Sequence, residues 1–425
     1  MESKHSPIRQ LPSGWEVRKL KDVFFINEQS LPANTSVDYQ FNYIPIEQVS
    51  TNHIDFDNCN SFRFDEAPGR ARRILRDNDI LISGVRPNLK SFAIFRKPNG
   101  NNWICSTGFF VLTAKNKEDN LISYYELLSE ICGSQFYSYV VGSNYPAIGD
   151  SDIRNIRLVL PTSEKEKAAI ANILSKVDEA IASAQNSIAA AERLKKSLMQ
   201  NLLTGKMKPD GTIRTPEEFY IDEKFGKVPL GWEVKRVKDF GEVITGKTPP
   251  TDEPEVFSDQ ERGYMFITPG DLDSAKYIEK TERYVSDKGI KYSYILPKNA
   301  VCEVCIGSTI GKIGITIKKC CTNQQLTSVI VNEENDAEYF YYAMCYRREH
   351  FKSIAGINAT PQINKSGYSK YKVLCPKDKN EQIEIAQKIN SVDSDISKQE
   401  QKIRVLERLR KSLMQNLLLG IVKTI

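Results

Sequence analysis

A repeating pattern of apolar residues runs through two separate segments of the chain and is its longest regular feature. In the first segment, apolar residues alternate at intervals of four and three, principally at Ile170, Leu174, Val177, Ile181, Ile188, Leu198 and Leu202. The second segment has the same pattern at Ile385, Ile389, Val392, Ile396, Ile403, Leu406, Leu413 and Leu417. A period of 3.5 residues held over more than four heptads predicts a coiled-coil seam.

Residues that start and stop helices lie at the ends of both segments. Ser163 with Glu166 forms a capping box before the first segment, and Asp378 supplies a cap before the second. Gly205 and Gly420 stand where glycine commonly ends a helix. The sequence therefore predicts that both segments are single long helices.

We expect these spacer helices within residues 161–205 and 376–425. A helix of about 60 Å, at 1.5 Å per residue, is longer than a small domain. This length favours an intramolecular antiparallel pair in which each apolar stripe buries the other. The alternative is an amphipathic helix packed on its own domain, and the sequence leaves the register of the pair open.

The chain is an internal duplication. The motif Gly14-Trp15-Glu16-Val17 reappears as Gly231-Trp232-Glu233-Val234, and ten of the eleven residues of 193–203 recur in 408–418, 215 positions later. The segments between these landmarks share little. Matching ends and divergent middles indicate that the ends do a job common to both halves, whereas the middles do a job in which the halves differ, such as binding different ligands.

Short runs rich in valine, isoleucine and phenylalanine occur in both middles and predict strands. They cover residues 79–84, 92–95 and 108–112 in the first half, and 300–307, 314–317 and 327–331 in the second. Helical segments follow near 121–132 and 336–350.

These elements predict an α+β fold with two tandem homologous domains of mixed α/β content and twisted sheets. The expected bounds of the domains are 11–160 and 228–375, with 206–227 as a linker. We expect two long antiparallel coiled-coil helices to separate the domains in a pseudo-two-fold arrangement.

A polar turn that contains glycine joins the first two predicted strands of each domain, at residues 84–90 and 307–312. Short polar side chains, glycine and cations suit close approach to a phosphate backbone and to base edges, although an ordinary hairpin turn has a similar composition. The candidate DNA-binding side chains are Arg86, Asn88 and Lys90 in the first turn, and Ser308, Thr309 and Lys312 in the second.

A second matched loop precedes each long helix. Its prolines, Pro146 and Pro361, lie 215 positions apart, as the helices do. Asn and Gln side chains can form two hydrogen bonds with adenine, but they are also common in loops. The candidates here are Tyr145 in the first domain and Asn358, Thr360 and Gln362 in the second.

Charge adds little to this picture. The 425 residues carry a net charge of +5, which is weak evidence for a nucleic-acid ligand. The positive charge is partly clustered, at Arg70, Arg72, Arg73 and Arg76, at Lys312, Lys318 and Lys319, and at Arg347, Arg348 and Lys352. No apolar run would span a bilayer and the first residues do not resemble a signal peptide, so we expect a cytoplasmic protein.

The sequence matches none of the motifs for catalysis or metal binding with which we compared it. The turn at 307–312 has three residues between its glycines where a phosphate-binding P-loop needs four, and Ile313 follows its lysine. Cys302 and Cys305 lack a spaced second pair, because the adjacent cysteines 320–321 would point to opposite faces of a strand. We therefore expect no catalytic residue, no metal site and reduced, buried cysteines.

The paired Gly-Trp-Glu-Val openings, the strand–turn–strand blocks and the twin helices that end in Ser-Leu-Met-Gln-Asn-Leu-Leu together resemble the specificity subunit of Type I restriction-modification enzymes. The resemblance covers nearly the whole chain. It implies two target-recognition domains that each bind one half of a split DNA sequence, and two antiparallel helices that set the spacer. The turns differ, with Arg86-Pro87-Asn88 opposite Ser308-Thr309-Ile310, so residue roles do not transfer between them.

The same resemblance implies the partners. Two methyltransferase subunits would dock on the helices, bind S-adenosylmethionine and methylate adenine. Restriction/translocase subunits would use ATP and Mg²⁺, so this chain itself would need no cofactor. The alternative is a coiled-coil scaffold that binds other proteins and has no role on DNA, which would keep the duplication without divergent loops that carry cations.

Overall fold

The computed structural model describes residues 11–98, 100, 102–139, 146–258, 263–356 and 361–424. The chain forms two compact units, of which unit 1 comprises Met1–Asn186 with Glu400–Ile425 and unit 2 comprises Ser187–Gln399. No helix of the described residues is both long enough and apolar enough to cross a membrane.

The first repeat is a mixed α/β domain followed by a long helix. Its elements are β1 (Trp15–Lys19), α1 (Leu20–Val23), β2 (Phe24–Ile26), β3 (Gln40–Ile44), β4 (Val49–Ser50), β5 (His53–Ile54), β6 (Ser61–Arg63), β7 (Ala71–Ile74), β8 (Ile80–Ser83), β9 (Phe92–Ile94), β10 (Trp103–Ser106), β11 (Phe109–Ala114), α2 (Lys117–Leu128), α3 (Glu130–Tyr139), α4 (Asp150–Asn155), β12 (Arg157–Pro161) and α5 (Glu164–Leu202). Two four-stranded sheets have the strand orders β6-β3-β10-β7 and β2-β11-β8-β9.

The second repeat has the same plan. Its elements are β13 (Phe219–Asp222), β14 (Gly226–Pro229), β15 (Trp232–Arg236), β16 (Gly241–Thr245), β17 (Phe257–Ser258), β18 (Tyr264–Ile267), β19 (Tyr277–Ile278), β20 (Arg283–Val285), β21 (Ala300–Val304), β22 (Ile313–Thr316), β23 (Cys320–Thr322), β24 (Leu326–Val331), α6 (Ala337–Tyr346), α7 (Arg348–Ser353), α8 (Lys365–Lys370), β25 (Lys372–Pro376) and α9 (Lys379–Leu418). Its sheets have the orders β16-β24-β21-β22-β19 and β17-β20-β18-β23. The predicted α+β fold with two homologous domains is confirmed.

The segment predicted as a linker contains regular structure. Strands β13 and β14 pair antiparallel from Phe219–Pro229 to Asp222–Gly226. Phe225, in the turn between them, packs against the main hydrophobic core of unit 2. This aromatic anchor explains why the connection between the repeats is ordered.

Within each unit the two long helices run antiparallel. In unit 1, Leu417 and Leu418 near the end of α9 share a core with Ile170 and Leu174 near the start of α5. Unit 2 reverses the roles, since its core contains the last turn of α5 and Ile385 of α9. The predicted antiparallel arrangement of the two helices is confirmed within each unit. The start of each helix also packs on its own domain, whereas seam residues nearer its middle, such as Ile181 and Ile403, are half-buried.

Charged residues occupy one position of each predicted seam, and each makes an ion pair with the facing helix. Arg410 lies 2.8 Å from Asp178 in unit 1, and Lys195 lies 2.6 Å from Asp393 in unit 2. The members of these pairs are related by the 215-residue repeat. They fix the register that the sequence left open.

The repeated tryptophan motif packs against the end of a long helix in both units. A Cβ atom on Gly420 would lie 2.7 Å from Pro12 Cγ and 3.2 Å from Trp15 Cε2, and a Cβ atom on Gly205 would lie 2.2 Å from Pro229 Cγ. Both glycines have a positive φ, +62° and +69° respectively. Glycine is therefore required here both by the backbone conformation and by the close approach.

Glu303 is a buried acid in the middle of the second domain. It lies on β21 opposite Thr327 of β24 and Ile313 of β22, and it is 1% exposed. Burial raises the pKa of its carboxyl group to about 8, although Tyr368 and Arg348 oppose the shift. Its Oε2 atom has no hydrogen-bond partner among the described residues.

We predict that Gly205→Ala destabilises unit 2 much more than Gly211→Ala does. Both positions have a positive φ, which costs about 1–2 kcal/mol for alanine, but only Gly205 has a neighbour within reach of a Cβ atom. The overlap with Pro229 brings the expected loss to about 2–5 kcal/mol. Urea denaturation of the two variants measures the difference, and equal midpoints would contradict the packing argument.

Glu303→Gln should remove a pH dependence of stability. Because the pKa of Glu303 is raised to about 8 in the folded state, the folded protein keeps a proton between about pH 4.5 and 8 that the unfolded chain has lost. The free energy of unfolding therefore falls as the pH rises through this range. We expect the variant to melt higher than the parent at pH 8–9.

Melting temperatures at pH 5–9 test this expectation. Glu334→Gln is the control, because Glu334 is exposed and its substitution should leave the profile of the parent unchanged. If the melting temperatures of the parent and of Glu303→Gln change with pH in parallel, ionisation of Glu303 does not lower the free energy of unfolding.

Candidate nucleic-acid interface

The two candidate loops of the first domain are hydrogen-bonded to each other. The backbone N–H of Arg86 donates to the carbonyl of Pro146 over 2.7 Å, and the N–H of Ile148 donates to the carbonyl of Gly84 over 3.0 Å. Val85 and Ala147 form an antiparallel bridge between these bonds. The turn between β8 and β9 and the loop before α4 thus form one surface.

The second domain repeats this arrangement. The N–H of Gly307 donates to the carbonyl of Pro361 over 2.9 Å, and the N–H of Ile363 donates to the carbonyl of Cys305 over 2.8 Å. Ile306 and Gln362 form the corresponding bridge. The structure therefore brings together, in both units, loops that the sequence identified only as separate matched segments.

The backbone of the two turns is similar although the side chains differ. Arg86 and Lys90 have φ values of +48° and +50°, and Gly307 and Gly311 have φ values of +99° and +85°. Residues other than glycine in this conformation cost about 1–2 kcal/mol. The first turn keeps two long cationic side chains at positions where glycine is favoured, and such strain is typical of functional sites.

The candidate side chains of the first domain differ in their surroundings. Arg86 and Asn88 are exposed. The ammonium group of Lys90 donates to the carbonyl of Leu128 over 2.6 Å, at the end of α2. Lys90 therefore holds the turn against a helix end, where its charge is favoured, and is less suited to a phosphate than the sequence indicates. Tyr145 lies outside the described residues.

In the second domain, Ser308 and Gln362 are exposed, and Thr309 and Lys312 are half-buried. Asn358 and Thr360 lie outside the described residues. Hydroxyl and amide groups predominate here, where the first domain presents an arginine. The two surfaces therefore offer different hydrogen-bonding groups on a similar backbone.

An ion pair supports the turn of the second domain from beneath. Arg348 of α7 donates to both carboxylate oxygens of Asp273, over 2.9 and 3.1 Å. Asp273 also accepts the N–H of Ile313, at the end of the turn, over 3.3 Å. A Cβ atom on Gly311 would lie 3.1 Å from Cγ of Arg348, so the turn rests directly on this helix.

A third loop contributes to the same surface, and the sequence analysis missed it. The N–H of Cys305 donates to the carbonyl of Gln325 over 2.8 Å, and the hydroxyl of Thr248 donates to Oε1 of Gln324 over 2.5 Å. Lys247 and Gln324 are exposed. The cluster of polar residues between β23 and β24 could have identified this loop in the sequence. Only the fold, however, places the cluster beside the turn.

The first domain has a different third loop. Gly84 donates its N–H to the carbonyl of Gly108 over 2.9 Å, and Thr107 donates to the carbonyl of Arg70 over 2.8 Å. A Cβ atom on Gly108 would lie 2.3 Å from Cδ1 of Ile46. A side chain at Gly108 would have to displace Ile46, and the exposed side chains beside this glycine are Thr107 and Arg70.

Most members of the first basic cluster are held by neighbouring groups. Arg76 pairs with Glu28 at 2.8 Å, Arg73 donates to Ser30 over 2.9 Å, and the guanidinium of Arg72 lies 4.7 Å from the ring of Phe64. Their proximity in sequence therefore overstates the positive charge that they offer to a ligand.

The cysteines are not arranged as a metal site. Cys302, Cys305, Cys320 and Cys321 are all buried, and burial raises the pKa of Cys302 to about 12. A thiol with a raised pKa is a poor nucleophile and a poor ligand. Among the described residues, no group of His, Cys, Asp and Glu side chains is placed to hold a metal ion.

Known proteins of one family are similar to this chain over both repeats. The family model for the Type I restriction modification DNA specificity domain matches residues 12–193 and 229–408. The Type I restriction enzyme HindI specificity subunit of Haemophilus influenzae is 24% identical, over 86% of this chain and 90% of its own length. The putative MjaX specificity subunit of Methanocaldococcus jannaschii is 23% identical, over 99% and 96% respectively.

Solved structures show the same fold. The S subunit of a Type I restriction-modification system from M. genitalium has a TM-score of 0.62 at 15% identity, and covers 98% of this chain and 99% of its own. A chain from a structure that addresses the assembly and conformational transition of a type I R-M system has a TM-score of 0.52 at 19% identity, covering 97% and 99%. With both repeats matched, this chain belongs to the family of Type I restriction-modification DNA specificity subunits.

Proposed function

We propose that each unit binds one half of a bipartite double-stranded DNA site through its bonded pair of loops. The observation that carries this proposal is the matching pair of backbone hydrogen bonds in the two units, which places different side chains on equivalent surfaces. A rigid backbone that presents exchangeable polar groups suits the recognition of base edges.

The candidate side chains divide into two classes. Arg86 and Lys312 supply positive charge for phosphate groups or guanine, whereas Asn88, Ser308 and Gln362 can bond to base edges. Lys247, in the segment after β16, and Gln324 of the third loop extend the surface of unit 2. The target-recognition domains are then 11–160 and 228–375, and the spacer helices 161–205 and 376–425.

The partners follow from the family. We infer that the long helices dock two methyltransferase subunits, which bind S-adenosylmethionine, and that restriction/translocase subunits with ATP and Mg²⁺ complete the assembly in the cytoplasm. This chain contributes recognition and carries out no chemistry. A scaffold without a role on DNA is not favoured, because the matching family is a DNA specificity domain.

Substitutions in one unit should change one half-site only. We expect Ser308→Ala with Gln362→Ala to relax the half-site of unit 2, because both side chains can bond to base edges and a lost bidentate contact of Gln362 alone would remove about 1–3 kcal/mol of discrimination. Asn88→Ala should relax the other half-site. Sequencing of methylated sites in host DNA, with the gene deleted and then restored as each variant, measures both.

The two variants act as controls for each other. Each should leave the half-site of the opposite unit and the length of the spacer unchanged. Loss of methylation at every site would indicate that the variant fails to fold or to assemble. Purification of the complex shows whether this has happened. If the methylated motif is unchanged in either variant, the side chains substituted in that variant do not contribute to recognition.

Lengthening both helices should lengthen the spacer. Four helix-forming residues after Asn186 in α5 and four after Gln399 in α9 add length where each helix passes from one unit to the other. The added turn is about 6 Å at 1.5 Å per residue, which corresponds to one to two base pairs at about 3.4 Å each. Because four residues nearly complete a turn, the contacts within each unit should survive.

Four glycines at each of the same two positions provide the control. They interrupt the helices and should broaden the accepted spacing without moving its preferred value. If the helical insertion leaves the spacer unchanged, or changes the bases of either half-site, the helices do not set the distance.

A further inference from the structure

Unit 2 contains a basic trough beside the segment that joins the two repeats. The trough consists of two adjoining cavities of about 520 and 320 Å³, which share Lys224, Phe225 and Arg347 in their walls. One wall is the ordered connection that includes β13 and β14, and the other is formed by the ends of α6, α7 and α8.

The lysine and arginine side chains that line the trough are Lys206, Arg214, Lys224, Lys227, Arg347, Lys370 and Lys372. No aspartate or glutamate is among the described residues that line either cavity. Several positive charges in one concave surface repel each other and concentrate the field, so such a surface attracts anions.

The acids near the trough have other partners. Glu381 pairs with Arg214, and Glu218 pairs with Lys208 at 2.7 Å. Asp222 accepts the backbone N–H groups of Lys224 and Phe225, and these bonds, with Lys372 and Lys224 close by, lower the pKa of its carboxyl group. Asp222 therefore offsets part of the charge at one edge, whereas Lys206, Lys227 and Lys370 pair with no described acidic residue.

Arg347 is held in place at the junction of the two cavities. Its guanidinium lies 4.7 Å from the centre of the Phe225 ring, and its Nε donates to the hydroxyl of Tyr371 over 3.3 Å. Its Nη2 also lies 3.3 Å from Nδ1 of His350, so its remaining N–H groups are the donors left for a ligand. A planar cation fixed on an aromatic face loses little entropy on binding a phosphate.

The trough is continuous with the elements that carry the candidate loops. Arg348, which follows Arg347, supports the turn at Gly311, and Ile363, which bonds to Cys305, directly precedes the N-cap of α8. Helix α8 is six residues long, which is about 9 Å at 1.5 Å per residue, or about three base pairs at 3.4 Å each. The strands of a bound duplex would pass within reach of Lys370.

We propose that this trough binds phosphate groups of the DNA backbone that flank the half-site of unit 2, a proposal that rests on the proposed function. Its contacts are independent of sequence, because the lining cations meet phosphates and no base edge. The trough adds affinity and fixes the orientation of the duplex, while the loops select the bases.

The test is Lys227→Gln combined with Lys370→Gln in the full chain, purified with the subunits with which it assembles. Both lysines are exposed, so the fold should be unaffected. We measure binding to a duplex that contains the motif found by methylation sequencing and to a duplex of scrambled sequence. The affinity for both should fall by the same factor. The slope of log affinity against log salt should fall by about one for each lost phosphate contact, and the motif should stay the same.

Lys280→Gln with Lys298→Gln removes the same charge from exposed positions of unit 2 that lie outside the trough, the candidate loops and the long helices, and should change neither the affinity nor the slope. An unchanged affinity and slope for the trough variant would overturn the proposal. Loss of co-purifying subunits from the trough variant alone would also overturn it, in favour of an acidic protein partner. If the parent complex prefers no duplex, the proposed function itself fails, whatever the trough variant does.

Discussion

The glycine that ends each long helix packs against the proline and tryptophan that open the opposite repeat, and both units depend on this contact. No side chain fits at Gly205 or Gly420, because a Cβ atom would overlap a proline in each case. The left-handed glycine ends the helix and turns the chain, and the tryptophan covers the last apolar turn. Residues on both sides of such a close-packed contact cannot vary independently. This constraint accounts for nearly identical ends in a chain whose middles have diverged.

A second constraint acts between the helices and the sheets. Asp178 accepts the Tyr125 hydroxyl over 2.9 Å as well as pairing with Arg410, and Asp393 accepts the Tyr342 hydroxyl over 2.5 Å as well as pairing with Lys195. Each aspartate thus joins both helices to the helix that follows the sheet of its own domain. Part-buried charges with several partners favour one register over its neighbours, whereas an all-apolar seam could slip by a turn. The orientation of each recognition domain on its helices is set in this way.

Within this fixed frame, the loops can change with little cost to the fold. Their mutual backbone hydrogen bonds need no particular side chain, and the left-handed positions are filled by Arg86 and Lys90 in one domain and by glycine in the other. The supports differ as well, since Lys90 bonds to the end of α2 whereas Gly311 rests on Arg348. A common backbone with different supports and different exposed groups is suited to two half-sites of different sequence. The basic trough is separate from these loops, and its contribution would be the same for any bases.

The sequence by itself determined the duplication, the two long helices with their glycine ends, and the strands on either side of each polar turn. These features depend on local spacing and on residues with narrow conformational preferences. Such preferences do not depend on tertiary contacts. Only the tertiary structure decided that the two matched loops bond to each other, that the loop at Gln324 joins them, and that Lys90 is committed to a helix end. It also places Phe225, within the segment predicted as a linker, in the wall of a trough. Each of these outcomes depends on residues far apart in the chain, and their meeting is set by the packing of sheets and helices, which a pattern along the sequence does not contain.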